Sequence, residues 1–400
     1  MDLIELKVLA PVYGGMCLSQ SAGVVFVKGA ITGETVLAQI IERKKDYSIA
    51  ETVEILDASV DRVEPICRVF GVCGGCHYQY INYNRQIELK KEILKDCLSR
   101  IGHLEISAGL NPLIGSQWGY RTKVQLKLSL DGHIGFYREG SRDVVSIVEC
   151  PLAAEPINHA IAKISNVTSS IVKEIHIISG KNLIAFLKGD KITEAALEQF
   201  IDIGFDGVST DSGLHKGDEF SIFEGSGFKY TVSPNSFYQT NWELNQRLID
   251  RALMESGTGQ NIIDVYGGAG NFAIPLSKNA LNMLIVEENP HSKADAQRNI
   301  KLNKLKNIKY KAQSFEKTKI SEHYDRMILN PPRRGLTTAA VNAVKKISPG
   351  KIIYISCNPS TFARDILKMS DVYKTVSVDL VDMFPNTYHC EVIGVLERFR

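Results

Sequence analysis

The sequence lacks any apolar run close to the roughly 18 residues that a helix needs to cross a bilayer. Its first residues also lack a basic segment followed by an apolar one, so we do not expect a secretory signal. A strong charge of either sign is missing as well, since 47 Lys and Arg face 45 Asp and Glu. We therefore expect a cytoplasmic protein with no membrane partner. The net charge of +2 neither requires nor excludes a nucleic acid.

Cysteines are few and unevenly placed, with eight in 400 residues. Cys67, Cys73 and Cys76 cluster, and Cys150 lies far downstream. In a cytosolic protein such a cluster indicates metal ligation before disulfides. Four thiolates suit zinc and an iron–sulfur cluster about equally. The C-x3-C-x2-C spacing of radical S-adenosylmethionine enzymes is absent.

The length predicts two or three domains. Residues 1 to about 57 alternate short apolar runs with turn residues, which predicts a small β-barrel, a common platform for single-stranded RNA. Residues 84–100 have the pattern of a helix. After residue 229, continuous apolar strands alternate with helices, which indicates a mostly parallel sheet covered on both faces. The predicted strands are 261–265, 283–286, 326–329 and 351–356.

A glycine-rich segment, Asp264–Asn271, follows the first of these strands and precedes a predicted helix. Glycines at such a turn let the backbone approach a ligand closely. The pattern is not G-x-G-x-x-G, which argues against a dinucleotide. Glu287 ends the next strand, where a carboxylate is suited to ribose hydroxyls. The alternative is a structural turn with an incidental surface glutamate.

Cys357 comes directly after the last of these strands and is followed by Asn-Pro. A cysteine is usually a small core residue, but a turn at the carboxyl end of a strand is where open α/β sheets carry their sites. Asn330–Gly335 also follows a strand, and Arg333 there could favour a thiolate or a phosphate. Farther on, Asp382–Glu391 places a histidine and a glutamate before the last predicted strand.

Together with Ser236–Asn241 and the Asp264–Phe272 loop, these segments resemble the bacterial RNA 5-methyluridine methyltransferases over nearly the whole chain. The N-terminal stretch is similar to the TRAM barrel of that family. The resemblance implies an α/β fold: a Rossmann-like S-adenosylmethionine methyltransferase domain, an N-terminal TRAM (OB-like) β-barrel and a central α+β iron–sulfur domain. The implied domains are 1–57 (TRAM), 58–82 with 107–228 (iron–sulfur), and 83–106 with 229–400 (catalytic), in a monomer.

The resemblance also implies the roles of single residues. Cys357 would be the nucleophile and Glu391 the general base of methyl transfer to uracil C5. Uracil C5 is too weakly nucleophilic to take a methyl group directly, and thiolate addition at C6 activates it. The residues implied to hold S-adenosylmethionine are Gln239, Tyr266, Asn271, Glu287 and Asn330.

For the cysteines, the resemblance favours a [4Fe–4S] cluster held by Cys67, Cys73, Cys76 and Cys150. For the substrate it favours 23S rRNA, with transfer RNA as the alternative. Two positions depart from the family pattern, which usually has Asp at position 330 and His at position 386 where this chain has Asn330 and Asn386. The competing hypotheses are a cytosine C5 methyltransferase, a zinc-stapled protein without iron, and a catalytically weakened RNA-binding or ribosome-assembly protein.

Overall fold

The first six strands form one sheet with the order β1-β5-β6-β4-β3-β2. They are β1 (Leu3–Lys7), β2 (Ala10–Val12), β3 (Met16–Ser19), β4 (Val25–Lys28), β5 (Thr35–Arg43) and β6 (Ser48–Asp57). Only two residues separate β1 from β2, yet these strands lie at opposite edges, so the chain itself joins the two edges. Side chains that alternate along the strands, including Leu6, Val27 and Val36, form a separate small core.

The computed structural model describes residues 3–21, 23–106, 110–129, 131–164, 172–234 and 236–399. Among the helices of these residues, none has both the length and the apolar character of a membrane span. The domain boundaries given above remain a prediction.

Helix α1 (Tyr83–Arg100) confirms the helix predicted at 84–100. It begins where the Asn82 side chain accepts a hydrogen bond from the amide of Asn84, which caps the first turn. Its buried face, which includes Leu94 and Leu98, packs into the core of the C-terminal sheet. The helix therefore belongs structurally with residues far downstream.

The central part of the chain forms a second sheet, of order β13-β12-β11-β10-β7-β8-β9, and a hairpin. Its elements are β7 (Lys123–Leu128), β8 (Ile134–Tyr137), β9 (Val144–Ser146), α2 (Glu155–Ile164), β10 (Val172–Ser179), β11 (Leu183–Gly189), α3 (Glu194–Asp202), β12 (Gly207–Thr210), β13 (His215–Gly217) and the hairpin β14 (Ser221–Gly225) and β15 (Phe228–Val232). Apolar side chains of α2 and α3 cover one face of this sheet.

The C-terminal part forms a third sheet, of order β18-β17-β16-β19-β20-β22-β21. Its elements are α4 (Trp242–Ser256), β16 (Asn261–Val265), α5 (Ala273–Leu276), β17 (Asn282–Glu287), α6 (Pro290–Leu302), β18 (Ile308–Ala312), a 3-10 helix (Phe315–Lys317), β19 (Arg326–Leu329), α7 (Thr338–Ile347), β20 (Lys351–Ser356), α8 (Pro359–Met369), β21 (Tyr373–Val381) and β22 (Glu391–Arg398). The four strands predicted after residue 229 are confirmed.

The third sheet is Rossmann-like, as predicted. Its first five strands are parallel to their neighbours, whereas β22 runs antiparallel to both β20 and β21. Two apolar clusters cover the two faces, one built with α4 and α5 and the other with α1, α7 and α8. From β16 the chain continues to β17 and β18 on one side of β16, and it then returns to β19 on the other side. The carboxyl ends of β16 and β19 therefore form the crevice where such sheets bind ligands.

A fully buried ion pair joins α1 to the segment between β21 and β22. Lys90 Nζ lies 2.5 Å from Asp382 Oδ1, and both side chains are inaccessible to solvent. The Tyr83 hydroxyl donates to Asp382 Oδ2 at 3.0 Å, and Lys90 Nζ also donates to the Phe384 carbonyl at 3.1 Å. Both charges thus have hydrogen-bond partners, which buried charges require.

We expect Lys90→Met to lower the free energy of unfolding by about 3–5 kcal/mol, because it leaves the Asp382 carboxylate buried without its cation. The matched control is Lys91→Met on the same helix, since Lys91 pairs with the exposed Glu88 and its loss should cost less than about 1 kcal/mol. Urea unfolding at neutral pH measures both. Equal losses in the two variants would contradict the prediction.

Candidate active site

The predicted nucleophile and base come from paired strands. Cys357 follows β20, and Glu391 is the first residue of β22. Ser356 lies opposite Val392 in this antiparallel pair, so the next step of the register brings Cys357 opposite Glu391. Burial, and then the neighbouring Glu391 charge, raise the pKa of Cys357. The structure therefore brings the two residues together.

Glu391 is a buried carboxyl group with one oxygen left free. Its side chain is only 3% exposed, and Oε1 accepts a hydrogen bond of 3.2 Å from Gln239 Nε2. Oε2 has no hydrogen-bond partner among the described residues. Burial raises the pKa of Glu391 to about 7, against the lowering effect of Gln239. Such a group can exchange a proton near neutral pH.

The surroundings of Cys357 act on its thiol in opposite directions. The residue is half-buried, unlike a core cysteine, and it precedes α8. The Asn358 side chain caps α8 by accepting from the amides of Ser360 and Thr361 at 3.0 and 3.4 Å. A helix N-terminus favours a thiolate, and the nearby Arg333 guanidinium also lowers the pKa of Cys357. The net direction is nevertheless upward, because burial is the largest cause.

The glycine-rich loop after β16 is a tight backbone turn. Tyr266 has φ of 61°, which is rare for a residue with a side chain. A Cβ at Gly267 would lie 2.8 Å from Asp264 Oδ2, so only glycine fits there. Asp264 is buried, which raises its pKa to about 7, and its Oδ2 accepts from the Ala273 amide at 3.1 Å. The carboxyl group of Asp264 thus holds the start of α5 beneath the loop.

Four of the five predicted cofactor residues line one narrow cleft beside this loop: Gln239, Tyr266, Asn271 and Asn330. Asn271 is fixed by reciprocal hydrogen bonds of 2.7 and 3.0 Å with Asn245. Glu287 is not among the residues that line the cleft, but its Oε2 accepts from the Gly268 amide at 3.2 Å, so it contacts the loop.

The four predicted metal ligands line a different cavity, of about 530 Å³. Cys67, Cys73, Cys76 and Cys150 are all free thiols. In the part of the chain that the structure describes, no three or more His, Cys, Asp or Glu side chains are grouped tightly enough to hold a single metal ion. The Arg121 guanidinium also lines this cavity and faces Cys76 and Cys150.

The sequence assigns no role to Tyr388 and His389, and Asn386 stands out only as a departure from the family pattern. Tyr388 and His389, just before Glu391, form part of the wall of the cysteine cavity, and the Arg333 guanidinium donates to the Tyr388 hydroxyl at 3.3 Å. Asn386 has φ of 65°, a conformation that asparagine tolerates well. Its side-chain oxygen accepts from Gln86 Nε2 at 3.1 Å. The turn thus explains how an asparagine is accommodated at this position.

Comparison with known proteins gives consistent matches. The profile of the tRNA (Uracil-5-)-methyltransferase family matches residues 218–323 and 317–399. A 23S rRNA (uracil(1939)-C(5))-methyltransferase of Shewanella amazonensis is 31% identical, covering 98% of this chain and 95% of the relative. An uncharacterized RNA methyltransferase of Aquifex aeolicus is 34% identical, covering 98% of each chain.

Among solved structures, the Pyrococcus abyssi tRNA (uracil-54, C5)-methyltransferase in complex with S-adenosyl-L-homocysteine superposes with a TM-score of 0.81. It is 25% identical and covers 98% of this chain and 99% of its own. The strand order, the loop after β16 and this superposition define an S-adenosylmethionine-dependent methyltransferase fold. The chain belongs to the RNA 5-methyluridine methyltransferase family, which confirms the family and the enzyme class predicted from the sequence.

The raised pKa of Glu391 predicts a pH-dependent stability. In the folded protein the pKa of Glu391 is about 7, against an ordinary 4.5, so folding binds a proton between these pH values. This favours the folded state by about 3 kcal/mol below pH 4.5, and the contribution is lost as the pH rises through 7. Glu391→Gln removes it.

The free energy of unfolding should therefore be measured for both proteins between pH 4.5 and pH 8. The value for Glu391→Gln minus that for the wild type should grow with pH. Asp264 is present in both proteins, so its titration cancels. A difference that does not change with pH would show that Glu391 ionises normally.

Proposed function

We propose that this enzyme methylates C5 of a uridine in RNA, with Cys357 as covalent nucleophile and Glu391 as general base. One observation carries the proposal: a buried carboxyl group with a free oxygen lies opposite a half-buried cysteine at the carboxyl edge of the sheet. The covalent chemistry needs the thiol and the carboxyl group to act on the same uracil ring. A lone nucleophile or a lone base would not complete it.

The reaction follows from the two side chains. The Cys357 thiolate, which Arg333 and the N-terminus of α8 favour, adds to uracil C6, and the electron pair of the C5–C6 double bond makes C5 nucleophilic. Bound S-adenosylmethionine supplies the methyl group that C5 takes up. Glu391 then removes the C5 proton, the double bond re-forms, and the C6–S bond breaks to release Cys357. The covalent adduct divides one difficult step into easier ones.

The raised pKa of Glu391 suits the last step. A carboxylate with an ordinary pKa of 4.5 is a weak base, whereas one with a pKa of about 7 accepts a carbon-bound proton with a larger driving force. The hydrogen bond from Gln239 holds one oxygen, and the free Oε2 is the one available to the substrate. A flipped uridine must enter this pocket, because C5 and C6 are not accessible inside a stack.

In this proposal Gln239, Tyr266, Asn271 and Asn330 hold the cofactor in the cleft, and Glu287 contacts its ribose. Asn330 keeps one carbonyl acceptor where the family usually has a charged aspartate. Its backbone amide lies 3.3 Å from the Val265 carbonyl, so it sits at the crevice between β16 and β19. The missing charge at position 330 concerns the cofactor cleft, and Cys357 and Glu391 are both still present.

We favour 23S rRNA as the substrate, because the Shewanella amazonensis relative is named for that RNA and matches nearly the whole chain. Transfer RNA is the second candidate, because the Pyrococcus abyssi structure covers the chain equally well. The N-terminal sheet would act as the TRAM barrel on the RNA. We also propose the three domains predicted from the sequence, in which α1 belongs to the catalytic domain.

We propose that the four-cysteine cavity holds an iron–sulfur cluster, with a zinc ion bound by the same thiolates as the alternative. A [4Fe–4S] cluster is larger and takes four cysteine thiolates, and these four line one cavity. The Arg121 cation beside Cys76 and Cys150 would offset the negative charge. When bound, the cluster would tie the 67–76 loop to Cys150.

The cluster proposal predicts that Cys73→Ser lowers the iron content of anaerobically purified protein and its thermal stability. The matched control is Cys97→Ser, since Cys97 is buried outside the cavity, with its sulfur 3.5 Å from Ser360 Oγ. Iron analysis, absorption spectra and thermal unfolding measure the effect. Full iron content and stability in Cys73→Ser would show that Cys73 is not an iron ligand and would count against the proposed four-cysteine site. Zinc in place of iron would favour the zinc-stapled alternative.

The proposed reaction is tested with labelled S-adenosylmethionine and unmodified 23S rRNA or transfer RNA, followed by nucleoside analysis. We expect label in 5-methyluridine, its complete loss in Cys357→Ala, and a rate about 10²–10⁴-fold lower in Glu391→Gln. Because Glu391→Gln blocks release rather than addition, it should also accumulate an RNA adduct that survives denaturing electrophoresis. Cys97→Ser serves as the active control.

The RNA that takes the label identifies the substrate. Label in 5-methylcytidine would assign the cytosine activity instead. If the protein binds RNA and the cofactor but transfers a methyl group to neither RNA, the hypothesis of an RNA-binding or ribosome-assembly protein is favoured.

A further inference from the structure

A turn of the N-terminal sheet reaches the candidate nucleophile. Between β2 and β3, the Tyr13 hydroxyl donates a hydrogen bond of 3.3 Å to the backbone carbonyl of Cys357. The next two residues are Gly14 and Gly15, with φ of 117° and 84°. A Cβ at Gly15 would lie 3.1 Å from the Tyr388 ring, so the backbone of this turn packs closely against the segment that leads to Glu391.

The Tyr13 ring is fixed on more than one side. It packs against the apolar core of the third sheet. It also meets the Tyr388 ring edge-on, with centroids 5.5 Å apart and planes at 89°, a favoured aromatic geometry. The Arg333 guanidinium donates to the Tyr388 hydroxyl at 3.3 Å, and its charge acts on the Tyr13 hydroxyl as well. These contacts hold the Tyr13 ring where its hydroxyl reaches the Cys357 carbonyl.

We infer that Tyr13 is a positioning residue for the nucleophile: its hydroxyl, bonded to the Cys357 carbonyl, fixes the peptide that carries Cys357. The inference rests on the proposed role of Cys357. That peptide joins the end of β20 to the Asn358 cap of α8, and rotation about it would turn the sulfur away from Glu391. Burial raises the pKa of Tyr13 to about 12, so the hydroxyl stays protonated over the working pH range.

This contact makes the N-terminal sheet part of the active site. Its other assigned role is to bind RNA, which does not require a side chain beside the nucleophile. With Tyr13 in place, the orientation of Cys357 depends on how the sheet is docked. A variant of the turn should therefore change the chemical step while the affinity for RNA is kept.

The test compares Tyr13→Phe, which removes only the hydroxyl, with Tyr13→Leu, which also removes the ring. The matched control is Tyr47→Phe in the turn between β5 and β6 of the same sheet, where the ring meets the Phe26 ring edge-on with centroids 5.3 Å apart. Two readouts are used: kcat and KM for methyl transfer to RNA, and the pH profile of Cys357 alkylation by iodoacetamide, followed on the Cys357 peptide by mass spectrometry. The charged groups that face Cys357 in that profile are Glu391 and Arg333.

We expect Tyr13→Phe to lower kcat about tenfold, as for one lost hydrogen bond, with KM for RNA within about twofold of the wild type. The alkylation midpoint should move to higher pH, because a freely rotating Cys357 loses its alignment with Arg333 and α8. Tyr13→Leu should add a loss of thermal stability. Tyr47→Phe should change none of these.

Wild-type kcat and a wild-type alkylation profile in Tyr13→Phe would overturn the inference. Equal losses of activity and stability in Tyr13→Phe and Tyr13→Leu would assign a packing role only, which also overturns it. Alkylation does not depend on RNA, so the profile tests Tyr13 even if the wild type methylates neither RNA. In that case the transfer assay, and not the alkylation profile, would count against the proposed function.

Discussion

The antiparallel pairing of β22 with β20 is the constraint on which the rest of the site depends. The parallel strands of the third sheet all present their carboxyl ends at one edge, which is where Cys357 follows β20. Only a strand of opposite direction presents its first residue at that edge, and Glu391 is the first residue of β22. A register shift of one residue would turn the Glu391 side chain to the other face of the sheet. Without β22 in this register, Cys357 would have no carboxyl group opposite it.

The same burial that fixes this geometry also changes the chemistry of the groups. Glu391 and Asp264 both lie against the sheet core, and burial raises the pKa of each to about 7. Holding such groups in a dry pocket opposes folding at neutral pH. The ion pair of Lys90 with Asp382, with its further partners Tyr83 and Phe384, holds the segment that leads to Glu391 at its other end. Glu391 therefore follows a segment that is fixed at both ends.

The sequence predicts the features that have a local pattern. The β16, β19 and β20 strands have the predicted bounds, because continuous apolar runs between turn residues are a local signal. Cys357 and Glu287 could be found from their places at strand ends. Lys90 could not, because on a helix it resembles any exposed lysine until Asp382 is brought beside it. Tyr13 has no local signal either, since its contact spans 344 residues of chain.

The segment from Asp382 to Glu391 borders both the cysteine cavity and the surroundings of Cys357. Its Tyr388 and His389 form part of the wall of the cysteine cavity, while Tyr388 also contacts the Arg333 and Tyr13 side chains beside Cys357. A ligand that binds only the folded form of a cavity stabilises that form, and here that form includes the segment that leads to Glu391. Order in the cysteine cavity and order at Glu391 are therefore coupled through shared side chains, with no need for electron transfer between them.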